Sequence, residues 1–189
     1  MKLLAHIWTR FRGWRFQGVV PPVPKMIIVG APHTSNWDFV LFLATLRHYG
    51  MKVRFLGKHT LFRPPFGWFF ERLGGIPVDR SKTTGIVGQV AQAFDAAAQM
   101  ILVIAPEGTR KAAPSWKSGF LAMAEESNVP VVLAGVDYPR RTVSLSEAID
   151  VDGDVAAFMD IARDFYRGKR GLHPDLETPV AVEEELERS

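Results

Sequence analysis

The chain predicts an α/β fold, a single domain in which a mostly parallel or mixed central sheet is flanked by helices. Short β-branched apolar runs recur along it, stretches of helical periodicity fall between them, and several runs end directly in a charged motif. With 189 residues it can bury one sizeable core, and this length suits one domain better than two. Its 47% hydrophobic and 23% charged residues exclude disorder and a fibrous architecture.

Residues 1–20 interleave Lys2, Arg10, Arg12 and Arg15 with Leu3, Leu4, Ile7, Trp8, Phe11 and Trp14. Leu4, Ile7, Trp8 and Phe11 recur at helical spacing beside a cationic face. That predicts an amphipathic helix, suited either to a lipid headgroup layer or to packing on the body of the domain. After the breakers Pro21, Pro22 and Pro24, Met26-Ile27-Ile28-Val29-Gly30 has the composition of a buried strand. Residues 38–49 then alternate apolar and polar at helical spacing.

Further strands are expected at 53–56, 76–78, 100–105, 129–136 and 142–145, the last of them candidates for antiparallel pairing. Helices are expected at 85–99, 116–127 and 154–167, with Asp154 capping the third. Residues 21–167 thus make up the domain. The remainder, 168–189, is polar, ends in an acidic run and reads as a solvated tail.

The absence of cysteine excludes disulfides, thiolate metal sites and a cysteine nucleophile. A formal charge of +3 suits an anionic membrane surface, a phosphorylated ligand or nucleic acid equally. Scattered basic residues without a nucleic-acid motif argue against the last of these. No apolar stretch approaches the roughly 20 residues of a membrane span and no signal peptide is evident, so a cytoplasmic protein is expected.

The stretch most suggestive of chemistry is Pro32-His33-Thr34-Ser35-Asn36-Trp37-Asp38, between an expected strand and an expected helix. One nitrogen of His33 could take a proton from a hydroxyl while Asp38 keeps the other protonated. The same stretch is also compatible with simple helix capping by Ser35 or Asn36.

A second motif, Ala105-Pro106-Glu107-Gly108-Thr109-Arg110, again follows an apolar run. Gly108 permits close backbone approach, Arg110 and Lys117 suit phosphate, and Glu107 could bond an acceptor hydroxyl or position a neighbouring basic side chain. An exposed Glu-Gly-Thr turn is the plainer reading. Between the two motifs lies Gly74-Gly75-Ile76-Pro77-Val78-Asp79-Arg80, where Arg80 is either a phosphate ligand or half of a surface pair with Asp79. Residues 59–73 carry Leu61, Phe62, Phe66, Trp68, Phe69 and Phe70, which suits an acyl-channel wall, a membrane-dipping loop or core. Lys58 just before them is a candidate to face an acceptor, and His59 reads as structural.

Taken in order, these blocks resemble the glycerophosphate and lysophospholipid acyltransferase family, to which bacterial lysophosphatidic acid acyltransferases belong. The resemblance runs from about Ile27 to Val136. It rests on a histidine and an aspartate with four residues between them, a Gly-x-x-Asp-Arg-like block, Pro-Glu-Gly-Thr-Arg, and Val129-Pro130-Val131. Leu133 stands where that family often has a second proline, and Lys111 where it often has serine.

The resemblance implies His33 and Asp38 as catalytic pair, and Arg80, Glu107, Gly108, Thr109 and Arg110 as acceptor-binding residues; Ser35 and Lys58 are further substrate-binding candidates by their position. It further implies acyl-CoA or acyl carrier protein as donor, a lysolipid as acceptor and peripheral attachment to the inner face of the cell membrane. A thioester is already activated, so no metal or redox cofactor is expected. Two other readings use the same residues: a hydrolase of acyl thioesters or lipid esters, and acylation of a non-phosphate lysolipid such as lyso-ornithine lipid. A serine hydrolase is not among them, since no Gly-x-Ser-x-Gly elbow occurs. A non-catalytic lipid-binding protein is the third rival.

Overall fold

The computed structural model describes residues 2–65, 67–72, 74–78 and 85–186. In chain order the first elements are α1 (Lys2–Phe11), β1 (Arg15–Gln17), β2 (Lys25–Ala31), α2 (Trp37–His48), β3 (Arg54–Lys58), a 3₁₀ turn (His59–Phe62), α3 (Gly67–Arg72) and β4 (Gly75–Val78). They are followed by α4 (Ile86–Ala96), β5 (Met100–Ile104), α5 (Gly119–Ser127), β6 (Val131–Asp137), β7 (Thr142–Ile149), α6 (Val155–Tyr166), a second 3₁₀ turn (Pro174–Leu176) and α7 (Glu183–Leu186).

The seven strands form one sheet in the order β1-β7-β6-β2-β5-β3-β4. β2 lies between β5 and β6 and is parallel to both, and β3 is parallel to β5 and β4. β7 returns antiparallel to β6, as its place late in the chain suggested. The carboxyl ends of β6, β2, β5, β3 and β4 therefore share one edge, where open α/β sheets present ligands.

β2 is apolar throughout because both its faces are covered. Its odd-numbered residues Ile27 and Val29 pack with Val90, Phe94 and Phe120 from α4 and α5, and with Phe158 and Met159 from α6. Its even-numbered Met26 and Ile28 pack with Leu46 at the end of α2 and with Met51 and Val53. Two local signals read in the sequence also hold. Asp154 caps α6 by accepting from the Ala157 N–H at 3.0 Å, and Val129-Pro130-Val131 leads into β6. Asn128, left-handed at φ 48°, closes α5 just before it, its N–H reaching the carbonyls of Ala124 and Glu125.

The two ends of the chain differ from expectation. The N-terminal helix stops at Phe11 rather than running through residue 20, and Arg15–Gln17 joins the sheet edge parallel to β7. α1 meets α2 through small residues: Ala5 packs with Leu43 and Ala44, and Thr9 is buried. This close approach turns Leu3, Leu4, Ile7 and Phe11 away from the body; Phe11 is 88% exposed. Trp8 alone of the expected stripe turns inward, its ring stacked on Trp37 at 5.1 Å.

The C-terminal segment is not a solvated tail. Val182 and Thr178 are buried, the Ala181 carbonyl accepts from Trp116 N at 2.7 Å, and the Thr178 hydroxyl accepts from Ala113 N. A few apolar residues and backbone hydrogen bonds hold this polar stretch as a strap across the domain. The strap passes so close to the β2–α2 loop that a Cβ on Gly171 would come within 2.6 Å of Thr34 Oγ1.

Candidate active site

The loop between β2 and α2 emerges at the carboxyl edge of the sheet and carries His33 to Asn36. Asp38 lies in the first turn of α2, where a negative charge is favoured by the exposed backbone N–H groups. Its Oδ2 accepts from the backbone N–H groups of Thr34 and Ser35, each at 2.9 Å, and lies 3.1 Å from His33 Nδ1. Its Oδ1 accepts from the hydroxyl of Tyr138 at 2.7 Å. Asp38 is buried, while the His33 side chain is 31% exposed. A carboxylate so held favours the Nδ1–H tautomer and leaves Nε2 of His33 without a protein partner among the described residues. That nitrogen can accept a proton from a bound group.

The loop after β5 reaches the same place from the neighbouring strand. Glu107 is fully buried, and both its carboxylate oxygens lie 3.0 Å from the backbone N–H of His33, which they accept. Burial pushes its carboxyl up to about 7, against the opposing pull of that N–H and of the His33 charge. Glu107 therefore points at the loop that carries the histidine.

Gly108 is left-handed at φ 67°, which favours glycine, and a Cβ there would press on the Lys117 stem at 3.0 Å. Arg110 is exposed and donates to the Asn36 side-chain oxygen, tying the two loops together. Thr109 is exposed and its hydroxyl accepts from the Lys111 N–H. Ser35 is buried, its hydroxyl accepting from the Trp37 N–H at 3.2 Å.

Two cavities open at His33, one on each face of the sheet. Beneath α2 lies an apolar one of about 410 Å³, reaching from His33 and Asp38 past Gly30, Phe42 and Ala134 to Leu46 and Met51. Between α4, α5 and the Glu107 loop lies a wider cleft of about 1080 Å³, lined by Ile86, Phe120 and Met123 and by Arg110, Lys111 and Lys117. An acyl-channel wall was one of three readings of residues 59–73, beside a membrane-dipping loop and core. Among the described residues the apolar cavity is instead walled by β2, α2, β3 and β5 to β7, with Met51. Neither that cavity nor Tyr138 carried a sequence signal. Lys58 ends β3 at the carboxyl edge, paired with Val78. Arg80, Phe66 and Leu73 lie outside the described residues.

Fold and site together are those of an α/β enzyme in which an imidazole at the strand ends can take up a proton beside an apolar cavity and a cationic cleft. The chain belongs to the Acyltransferase family, whose model matches residues 15–136, and it is an acyltransferase. No curated protein and no solved structure matched it.

Proposed function

We propose that this acyltransferase moves a fatty acyl group from acyl-CoA or acyl carrier protein to the hydroxyl of a lysophosphatidic acid-like acceptor in membrane lipid synthesis. The observation that carries the reading is the meeting of an apolar cavity and a cationic cleft at one histidine. His33 Nε2 takes the proton of the acceptor hydroxyl as its oxygen attacks the thioester carbonyl. The tetrahedral intermediate collapses with cleavage of the C–S bond, and the departing thiolate takes the proton from the imidazolium. Asp38 orients the ring and balances its charge, and no covalent acyl-enzyme is formed. General-base help of this kind is worth about 10²–10⁴ in rate.

The hydrocarbon chain enters the cavity beneath α2, and Arg110 and Lys117 meet phosphate in the opposite cleft. Arg80, Lys58, Ser35, Gly108 and Thr109 complete the acceptor side of this reading. Among the described residues no helix is long and apolar enough to cross a membrane. The outward face of α1 supports peripheral attachment instead: Leu4, Ile7 and Phe11 stand clear of the body beside Arg10 and Arg12, with Trp37 and Phe39 half-exposed close to His33. The same reading places the protein on the inner face of the cell membrane.

The test is incubation of the protein, on vesicles containing anionic lipid, with labelled palmitoyl-CoA or acyl carrier protein and a panel of acceptors. The panel holds lysophosphatidic acid, glycerol phosphate, other lysophospholipids and lyso-ornithine lipid. Acylated lysophosphatidic acid that disappears with His33→Ala is the expected product. Product from lyso-ornithine lipid alone would transfer the reading to a non-phosphate acceptor, and free fatty acid alone would make the protein a hydrolase. Replacing Leu4, Ile7 and Phe11 by serine is expected to reduce co-flotation with the vesicles while leaving the melting temperature nearly unchanged. Unchanged flotation would remove α1 from the membrane contact.

A further inference from the structure

The His33–Asp38 pair has a third partner, 100 positions beyond Asp38 and outside the residues that the family model matches. We propose that Tyr138 is a positioning residue for the reaction, its hydroxyl fixing the outer oxygen of Asp38 and through it the orientation and charge balance of the His33 ring. This rests on the reading of His33 as general base.

Asp38 Oδ2 is held by two backbone N–H groups and the imidazole, but Oδ1 has one donor among the described residues, the Tyr138 hydroxyl at 2.7 Å. Contacts on Oδ2 alone leave the carboxylate plane free to turn about that oxygen. The fourth contact, on Oδ1, fixes the plane and aims Oδ2 at Nδ1.

Tyr138 is itself held from three sides. Its backbone N–H donates to the Arg170 carbonyl at 2.9 Å, and its ring meets Trp14 edge to face at 5.2 Å. The preceding Asp137 is buried and accepts from the Arg140 backbone N–H and, at 2.7 Å, from its guanidinium. Burial and the neighbouring Asp38 push the phenol well above its ordinary range, so the hydroxyl keeps its proton and stays a donor at any working pH.

A donated hydroxyl draws negative charge away from the carboxylate and so tempers its hydrogen bond to the imidazole Nδ1–H. Among the described residues the other charged groups around His33 are Glu107 on its backbone N–H, Glu177 beside Glu107, and Arg110, Lys111 and Lys117 along the cationic cleft. Tyr138→Phe alters none of these. It is expected to change the hydrogen bond between Asp38 and Nδ1–H, and with it the resonance of that proton.

The experiment records the His33 Nδ1–H resonance by nuclear magnetic resonance at one fixed pH in the full chain and in Tyr138→Phe, with His33→Gln assigning the signal. It is paired with steady-state kinetics of both proteins. The expected result is a displaced Nδ1–H resonance, a fall in kcat of about tenfold, and KM for donor and acceptor unchanged within about twofold. In an Asp38→Asn background the same Tyr138→Phe change is expected to cost little more, because the oxygen it serves no longer carries charge. A resonance that superimposes on the parent's would overturn the proposal, even with a lowered melting temperature, since that pattern belongs to a merely structural hydroxyl. An equal loss of kcat in the Asp38→Asn background would overturn it as well. The resonance needs no substrate, so it decides the role of Tyr138 at Asp38 even if the acceptor panel were to reject the proposed reaction.

Discussion

The two faces of the sheet are built from the same strands and differ in what covers them. On one face α2 lies over small and apolar residues, Gly30 and Ala134 among them, and the space left between is lined by apolar side chains except for His33, Asp38 and Thr45. On the other, α4 and α5 leave a wider cleft whose rim carries Arg110, Lys111 and Lys117. The even-numbered residues Ile28 and Gly30 of β2 wall the apolar cavity, while its odd-numbered Ile27 and Val29 are sealed in the core. The cleft on the other side is therefore made by the loop after β5 and by α4 and α5, and the two spaces come together at the loop that carries His33.

That comparison is sharpened most by filling the apolar side. Gly30 lines the cavity and a Cβ added there meets nothing within 4 Å, so Gly30→Leu is the substitution that projects a side chain into it. If it displaces about three methylenes of a bound chain, each worth about 0.8 kcal/mol, kcat/KM for a palmitoyl donor falls on the order of 10²-fold. A butyryl donor is expected to be nearly unaffected. Equal activity with both donors would break the assignment of hydrocarbon to this face and return it to the aromatic segment of residues 59–72.

The opposite face is tested by Arg110→Ala. Removing one charged donor to phosphate is expected to raise KM for a phosphorylated acceptor about tenfold with no change in chain-length preference. A change in chain-length preference would mean that the two cavities are not separate in use.

Much of this arrangement was legible in the sequence, and for a physical reason. Strands such as Met26–Gly30 and Met100–Ile104, sealed on both faces, must be apolar without interruption, so they declare themselves. The motifs that follow them then fall at the carboxyl edge by the rules of parallel topology. His33 and Asp38 lie five positions apart, so their 3.1 Å contact follows from one tight turn.

What stayed hidden depends on long-range packing. The Tyr138 contact joins the end of β6 to the first turn of α2 with no local signature, and the segment from Gly168 onward is polar in composition, yet it is fixed through backbone groups and one buried valine. The direction of α1 was hidden because Ala5 and Thr9 decide it. Small residues give no hydrophobic signal, yet they allow the closest approach of two helices. Glu107 was legible as important, but a buried carboxylate turned to a backbone N–H cannot be told from an exposed one by spacing alone.

Glu107 lies behind His33, between the two faces, and yields the prediction with the smallest expected effect on turnover. Its carboxyl has an ordinary value of 4.5, pushed up to about 7 in the folded protein by burial. Between those values the folded state keeps a proton that the unfolded state releases, so stability is greatest at low pH and falls as pH rises through this window. The contribution is at most about 3 kcal/mol. Glu107→Gln removes the titration and keeps a carbonyl oxygen for the His33 N–H. Urea unfolding at pH 5 and pH 8 should therefore show the parent losing stability between the two and the variant losing less, while His33 stays in place and turnover changes by no more than about threefold. An identical loss in both proteins would mean that the carboxylate is neutralised by a cation reaching it from the cleft. Arg110, Lys111 and Lys117 are the cations of that cleft among the described residues, and with one of them on Glu107 the two sides of the sheet would be linked through it rather than divided by it.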